Sequence, residues 1–381
     1  MKIAIVIEHL EPWRGGAETS TLELSRLLKA RGHEVRVVTA TPTPPPPDLV
    51  VDRIPSARVL RPLQTTTFVR RAAEYLRRAS FDRVLAISPL PEADVYQPRG
   101  GLIGETLRRN VALRPSRQGR AVKRALLALN FKHRAMLELE REVFRPGGPR
   151  IAAVSGYVAR QCERIYGVRA PRVRVVFNGV AAQDPTDAEK AAARAEIRRQ
   201  YDVGDDTLLL LFMAHNFRLK GLYPLIEAVA RLTRAASPPL RLLVVGRDNP
   251  VRFQRRVESL GVERQVVFAG PTQRSAAFWA AADVCVHPTY YDPCSRVVLE
   301  AMWHGLPCIT TVWNGAAELI RNGVEGFVID NPDNVPALAE AIAATFPVHR
   351  RREMSSHARS LRPRISMARH VEELEALLIS E

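Results

Sequence analysis

The stretch "VCVHPTYYDPCSRVVLEAMWHGLPCITT", residues 284–311, reads as one strand–helix–strand unit. "VCVH" is a short apolar strand. A polar loop carrying Pro288 and Pro293 follows it, and "VVLEAMWHG" has helical spacing up to a Gly-Leu-Pro turn. "PCITT" is a second apolar strand. Two apolar strands joined through a helix run parallel, because an antiparallel pair would need only a short turn. The unit also carries two acids, Asp292 in the loop and Glu300 about two turns into the helix if that helix begins near Ser295.

Outward from this unit the same rhythm repeats. "TLLLLFMA", "LRLLVVG", "VVFAG" and "GFVID" are strands, with helices such as "LYPLIEAVARLTR" and "NVPALAEAIAATF" between them. "QDPTDAEKAAARAEIRRQYDVGDD" is a polar helix on the edge of this half. Upstream, "KIAIVIEHL" is a strand, Gly15–Gly16 a loop, and a Leu-rich helix ends at Gly32 before a Val-rich strand. "FDRVLAIS" is another strand, and "TPTPPPPD" is a stiff surface loop. The expectation is an α/β protein of two doubly wound parallel-sheet domains, 1–177 and 178–364. A last helix within 365–381 could pack back on either. Two such domains would place their strand carboxyl ends, where ligands bind, around one cleft. A two-domain binding protein would have the same topology.

Composition narrows the function. The 381 residues are 46% apolar, and no run of about 18 apolar residues suggests a membrane span. The N-terminal apolar run reads as a first strand rather than a signal peptide. Cys162, Cys285, Cys294 and Cys308 have no metal-ligand spacing and read as reduced thiols. A formal net charge of +16 points to an anionic partner: nucleic acid, anionic lipid or a phosphorylated glycolipid. Much of that charge lies in 106–137, with nine Lys or Arg and no acid. There Val122, Ala125, Leu126 and Leu129 recur at helical spacing beside Arg120, Lys123 and Arg124. This is the pattern of a membrane-surface helix, or of a core-facing helix with a solvated basic face.

The chemistry-bearing residues cluster in the second half. Arg218 and Lys220, in "AHNFRLKGL", follow a strand and open a helix. Two cations at a helix N-terminus suit a diphosphate; a solvated basic turn is the alternative. Glu300 can accept two hydrogen bonds at once, as a ribose diol requires, and Asp292 can hold sugar hydroxyls. Backbone N–H groups near Ser295–Arg296 could cradle a phosphate between the two acids. An amphipathic helix with one structural Glu would look much the same.

The spacing Asp292-x7-Glu300 with its flank "AMWHGLPCITT" resembles the E-x7-E signature of retaining glycosyltransferases of the GT-B fold, and more narrowly glycosyltransferase family 4. Within that family the chain is similar to the glucosyltransferases of the bacterial lipopolysaccharide core. "GGAETSTLELSRLLKARGHEVRVVT", "LPEADVY", "VRVVFNGV", "NFRLKG" and "LLVVGRD" fall in the family's order along nearly the whole chain.

The resemblance implies a GT-B enzyme moving a hexose from a nucleotide-sugar, UDP- or GDP-hexose, to a lipid-linked or lipopolysaccharide-core-type acceptor. It implies work at the inner face of the cytoplasmic membrane, reached through 106–137, and no nucleic-acid partner. Glu300 would bind the donor ribose and Lys220, with Arg218, the diphosphate. Asp292 stands where the signature has Glu, with a shorter reach. Gly15 and Gly16 match the loop that approaches the donor phosphates. Gly246 lies near the base, whose selectivity would rest on backbone contacts around Gly246–Arg247 and Pro271–Thr272. Asp94 matches a cleft Asp facing the acceptor or the reacting centre. No Asp-x-Asp sequence occurs, so no metal is expected and cations stabilise the leaving diphosphate. A nucleotide-sugar epimerase of the same fold, or a non-enzymatic binder of anionic lipid or nucleic acid, are the rival readings.

Overall fold

Why the two sheets are parallel is visible in their burial. Strands buried on both faces need apolar residues at successive positions and helices covering both sides. "KIAIV" and "LLLLFM" meet that requirement, and nearly all their side chains are inaccessible. The computed structural model describes residues 1–11, 15–41, 46–55, 63–114, 116–181, 184–235 and 237–380. Part of the Pro-rich loop, 42–45, and position 115 of the basic segment lie outside the described residues.

The chain divides into two units, Met1–Ala181 with Ser366–Glu381, and Ala182–Ile365. The first holds β1 (Lys2–Val6), β2 (Glu34–Thr39), β3 (Val50–Arg53), β4 (Arg83–Ala86), β5 (Val95–Tyr96), β6 (Arg150–Ala153) and β7 (Val173–Val175). They form one parallel sheet in the order β3-β2-β1-β4-β5-β6-β7. Its helices are α1 (Gly16–Ala30), α2 (Gln64–Arg78), α3 (Ile103–Ala112), α4 (Arg117–Leu129), α5 (Phe131–Phe144) and α6 (Gly156–Tyr166). α1 stops where expected: Gly32 takes a left-handed φ of 89° just beyond it.

The second unit opens with α7 (Asp187–Gln200), whose sequence T-D-A-E forms a capping box between Thr186 and Glu189. Its strands are β8 (Leu208–Met213), β9 (Leu240–Val245), β10 (Val266–Gly270), β11 (Val284–His287), β12 (Cys308–Thr311) and β13 (Gly326–Ile329). They pair in parallel in the order β10-β9-β8-β11-β12-β13. The helices α8 (Leu222–Arg234), α9 (Val251–Leu260), α10 (Ser275–Ala281), α11 (Arg296–Trp303), α12 (Val335–Ala343), α13 (Val348–Ser360) and α14 (Arg362–Ile365) belong to this unit.

The last helix, α15 (Met367–Ile379), returns to the first unit. Met367, Val371, Leu374, Leu377 and Leu378 are buried in the same core as Ile3, Ile5, Leu24, Leu28 and Leu85. Each such Leu contributes about 1.5–3 kcal/mol by leaving water. That apolar stripe must be covered, and the core of the first unit covers it.

Candidate active site

In the second unit, the loops leaving β8 and β11 are tied to each other at the carboxyl edge of the sheet. β8 and β11 are neighbours, so residues far apart in sequence exit side by side. The Tyr290 N–H donates to the Leu219 carbonyl (2.9 Å), and the Thr289 hydroxyl donates to the same oxygen (3.2 Å). Gly221, the residue before α8, has φ 83°, and any Cβ there would collide with the Pro288 carbonyl. This close approach carries Lys220 to Asp292: Nζ lies 2.6 Å from Oδ2 and 3.2 Å from the Tyr291 carbonyl oxygen.

Asp292 is held at both its backbone and its side chain. Its N–H donates to the Trp313 carbonyl and its own carbonyl accepts from Gly315, each at 2.9 Å. His287, the last residue of β11, is buried with Nε2 3.7 Å from Asp292 Oδ2. Burial alone would push the Asp292 carboxyl up, but the Lys220 ammonium beside it outweighs this and holds the group well below the usual carboxylate range. The pairing therefore contributes stability above the ordinary carboxylate pKa, and loses it as pH falls through the lowered value. Burial pushes His287 down, as does the Lys220 charge, while Asp292 opposes them, so the imidazole is neutral near pH 7.

The remaining expected residues divide. Glu300 sits on α11 with Oε1 3.3 Å from Arg296 Nη2, an i,i+4 pair at the helix start. Arg218 lies on the Lys220 loop, near enough to Tyr290 for its charge to act on the phenol. Ser295 is a correction. Its N–H does not stand ready for a phosphate, because it donates to Asn314 Oδ1 (3.1 Å). Pro293 has no N–H to offer. No side chain caps the start of α11. Gly246 has φ 151°, and a Cβ there would collide with the Ala214 carbonyl. Its N–H donates to Gly270 (2.9 Å), so glycine is needed to let the ends of β8, β9 and β10 meet.

Two residues of this cluster were not singled out from the sequence. Asn314 gathers the N–H groups of Ser295 and Ala316 and donates to Thr310 Oγ1 (3.0 Å). The Asn-Gly pair in "VWNGA" is a turn signal that could have drawn attention to it. His287 had no such signal, being one polar residue at the end of an apolar strand.

In the first unit, α1 begins at Gly16 and is the element that follows β1 in the chain. Gly15 is extended, with φ 169°, and no side chain caps the helix. Beneath this first turn lies buried Arg99, which donates to Ser20 Oγ (2.6 Å), Thr21 Oγ1 (2.9 Å) and the Ala17 carbonyl (3.3 Å).

Asp94 is a second correction. It precedes β5 at the amino end of the sheet, not at the carboxyl edge. Its Oδ2 accepts from Val84 N–H (2.6 Å), its N–H donates to Val84 O, and its carbonyl accepts from Arg150 N–H. It pins the starts of β4, β5 and β6. Asp94→Ala is therefore expected to lower thermal stability by about 1–3 kcal/mol, the cost of stranding a strand N–H. Any transfer activity per folded molecule should stay unchanged. Intact stability with lost transfer would restore a role for Asp94 in the chemistry.

Comparison with known proteins agrees with this architecture. Residues 14–184 match the family described as Glycosyltransferase Family 4, and residues 193–359 match Glycosyl transferases group 1. The lipopolysaccharide glucosyltransferase WaaG of Escherichia coli (strain K12) is 26% identical over 336 residues, covering 86% of this chain and 85% of its own. A D-inositol 3-phosphate glycosyltransferase of Thermomonospora curvata is 27% identical over 396 residues, with 94% and 92% covered. The crystal structure of WaaG superposes with a TM-score of 0.82 at 24% identity, covering 100% of both chains. Anabaena HepE in complex with UDP and glucose gives 0.73 at 18% identity, also covering 100% of both. With one family matched on each of its parallel-sheet units, the chain belongs to the GT-B glycosyltransferases, a family 4 domain followed by a group 1 domain.

Proposed function

We propose that the protein is a retaining, metal-independent hexosyltransferase. It moves a hexose from UDP- or GDP-hexose to a lipid-linked acceptor of the lipopolysaccharide-core type, at the cytoplasmic face of the membrane. The observation that carries this reading is the Lys220–Asp292 pair at the carboxyl edge of the second sheet, two residues before the start of α8. Lys220, Arg218 and that helix start supply the positive charge a departing diphosphate needs, so no step calls for a metal. Glu300 would take the ribose diol. No candidate nucleophile for a double displacement was found in the sequence, so retention would follow from attack by the acceptor hydroxyl on the face the diphosphate leaves. The similarity to WaaG, a lipopolysaccharide glucosyltransferase, supports the acceptor class. The test is incubation with UDP- and GDP-hexoses, first alone and then with core-type acceptors, reading hydrolysis, transfer and the anomeric configuration of the product. An inverted product would end the retaining reading.

The membrane part of the proposal rests on α4. Val122, Leu126 and Leu129 are 60%, 59% and 82% exposed, and no residue of the helix is buried, so its apolar stripe does not face a core. Phe131 adds a further exposed ring at 62%. Among the described residues no helix is long and apolar enough to cross a membrane. An exposed apolar stripe flanked by Arg120, Lys123 and Arg124 suits an anionic surface, with about 1 kcal/mol per basic residue near it. The protein should sediment with vesicles containing phosphatidylglycerol at low salt and release as salt rises. It should ignore phosphatidylcholine alone. Exchanging Arg120, Lys123 and Arg124 for Gln should weaken sedimentation and leave donor hydrolysis intact. Equal binding to both vesicle types would remove the electrostatic account.

A further inference from the structure

His287 is the one member of the Asp292 cluster with no function so far. It is 1% exposed, stacks on Phe212 of β8 with ring centroids 6.0 Å apart, and its main-chain carbonyl accepts from Thr310 Oγ1 (2.8 Å). Its ring packs on β8, and its backbone is held by β12. Neither ring nitrogen has a hydrogen-bond partner. Buried polar nitrogens are rarely left so, and this one faces a carboxylate oxygen at 3.7 Å, just outside hydrogen-bond range.

The Asp292 carboxylate is equally constrained. It is only 13% exposed, and it is paired with Lys220. A diphosphate arriving at Lys220 would compete for that ammonium and repel the carboxylate. A carboxylate so little exposed gains little from water when it loses its cation, so another donor within reach stabilises it. Only a small shift of the Asp292 side chain closes the gap to Nε2.

We propose that His287 is a positioning residue for the donor site, whose ring N–H takes over the Asp292 carboxylate when Lys220 turns to the diphosphate of the nucleotide-sugar. The carboxylate thus moves between two holders, and Lys220 is released without stranding a buried charge. A carboxylate one methylene shorter than the Glu of the family signature fits this exchange, because it stays beside β11 rather than reaching out. The inference rests on Lys220 serving the diphosphate, as proposed above.

The test compares nucleoside diphosphate with nucleoside by calorimetry, using whichever of UDP and GDP the wild type binds. His287→Phe keeps the stacking on Phe212 but removes the N–H, whereas His287→Asn keeps an N–H. H287F should weaken the diphosphate about tenfold and leave the nucleoside unchanged, the size expected for one hydrogen bond to a charged group. H287N should stay within about threefold. In an Asp292→Asn background, where no carboxylate needs a holder, the H287F effect should disappear. A loss shared by H287N, or one that persists beside D292N, would overturn the proposal.

The wild type gives a check that needs no variant. In protein labelled with 15N-histidine, the diphosphate should move the His287 ring signals to those of a hydrogen-bonded N–H. Unchanged signals in the saturated complex would overturn the proposal. If the wild type binds neither UDP nor GDP, the donor reading fails and this inference with it. If Lys220→Ala weakens the diphosphate but H287F does not, only the inference fails.

Discussion

Lys220→Ala is expected to lower turnover by about 10²–10³-fold, and to weaken UDP or GDP far more than the free nucleoside. Two effects combine. The diphosphate loses a charge-assisted bond of about 1.5–3 kcal/mol, roughly 10- to 150-fold in affinity. The loss in turnover is larger because charge on the leaving phosphate grows in the transition state. The same change leaves the partly buried Asp292 without its cation, which costs about 1–3 kcal/mol of stability where His287 does not take it over. Without Lys220, the ammonium that lowers the Asp292 carboxyl is gone and burial pushes it upward, with His287 as the remaining partner. The variant's deficit should therefore be relieved as pH falls and full at neutral pH, whereas the wild-type pairing weakens only in acid. Calorimetry with diphosphate and nucleoside, beside thermal unfolding from neutral to acidic pH, separates the two effects. Equal losses for both ligands would take Lys220 away from the diphosphate.

Glu300→Gln should cost about 10²-fold in kcat/KM, the scale of losing one preorganised contact, with the fold intact. The alternative is quantitatively distinct. As an i,i+4 partner of Arg296 alone, Glu300 would contribute only about 0.2–0.5 kcal/mol to the helix, and Gln would leave turnover near that of the wild type. Steady-state kinetics over the donor concentration series, with thermal unfolding as control, decides between a ribose ligand and a structural ion pair. The shape-conserving Gln keeps one carbonyl acceptor, so a large effect would show that both carboxylate oxygens, or the charge itself, are in use.

Much of this was legible locally. A strand buried on both faces is a run of apolar residues, and a helix is a spacing. Hence "KIAIV", "LLLLFM" and the strand–helix–strand at 284–311 announced parallel sheets before any contact was known. Gly32 and the early polar helix were equally readable, because a left-handed turn and a capping box are made by neighbours in sequence. The acid spacing from Asp292 to Glu300, and the family it resembles, also lie within one short window.

Tertiary structure alone decided what those acids touch. Lys220 meets Asp292 across 72 positions because β8 and β11 are adjacent in the sheet, and strand order is not written in either segment. Asp94 sits at the amino edge because β5 starts just after it and β4 offers it an N–H; from sequence it looked like the end of a loop facing a ligand. The Ser295 N–H is taken by Asn314, nineteen positions on, through a bridge between the loops after β11 and β12. α15 had an apolar stripe that could have covered either unit, and only the core of the first unit determined which. In each case a local pattern specifies which groups a segment presents, while the partner that satisfies them is selected by burial and strand order elsewhere in the chain.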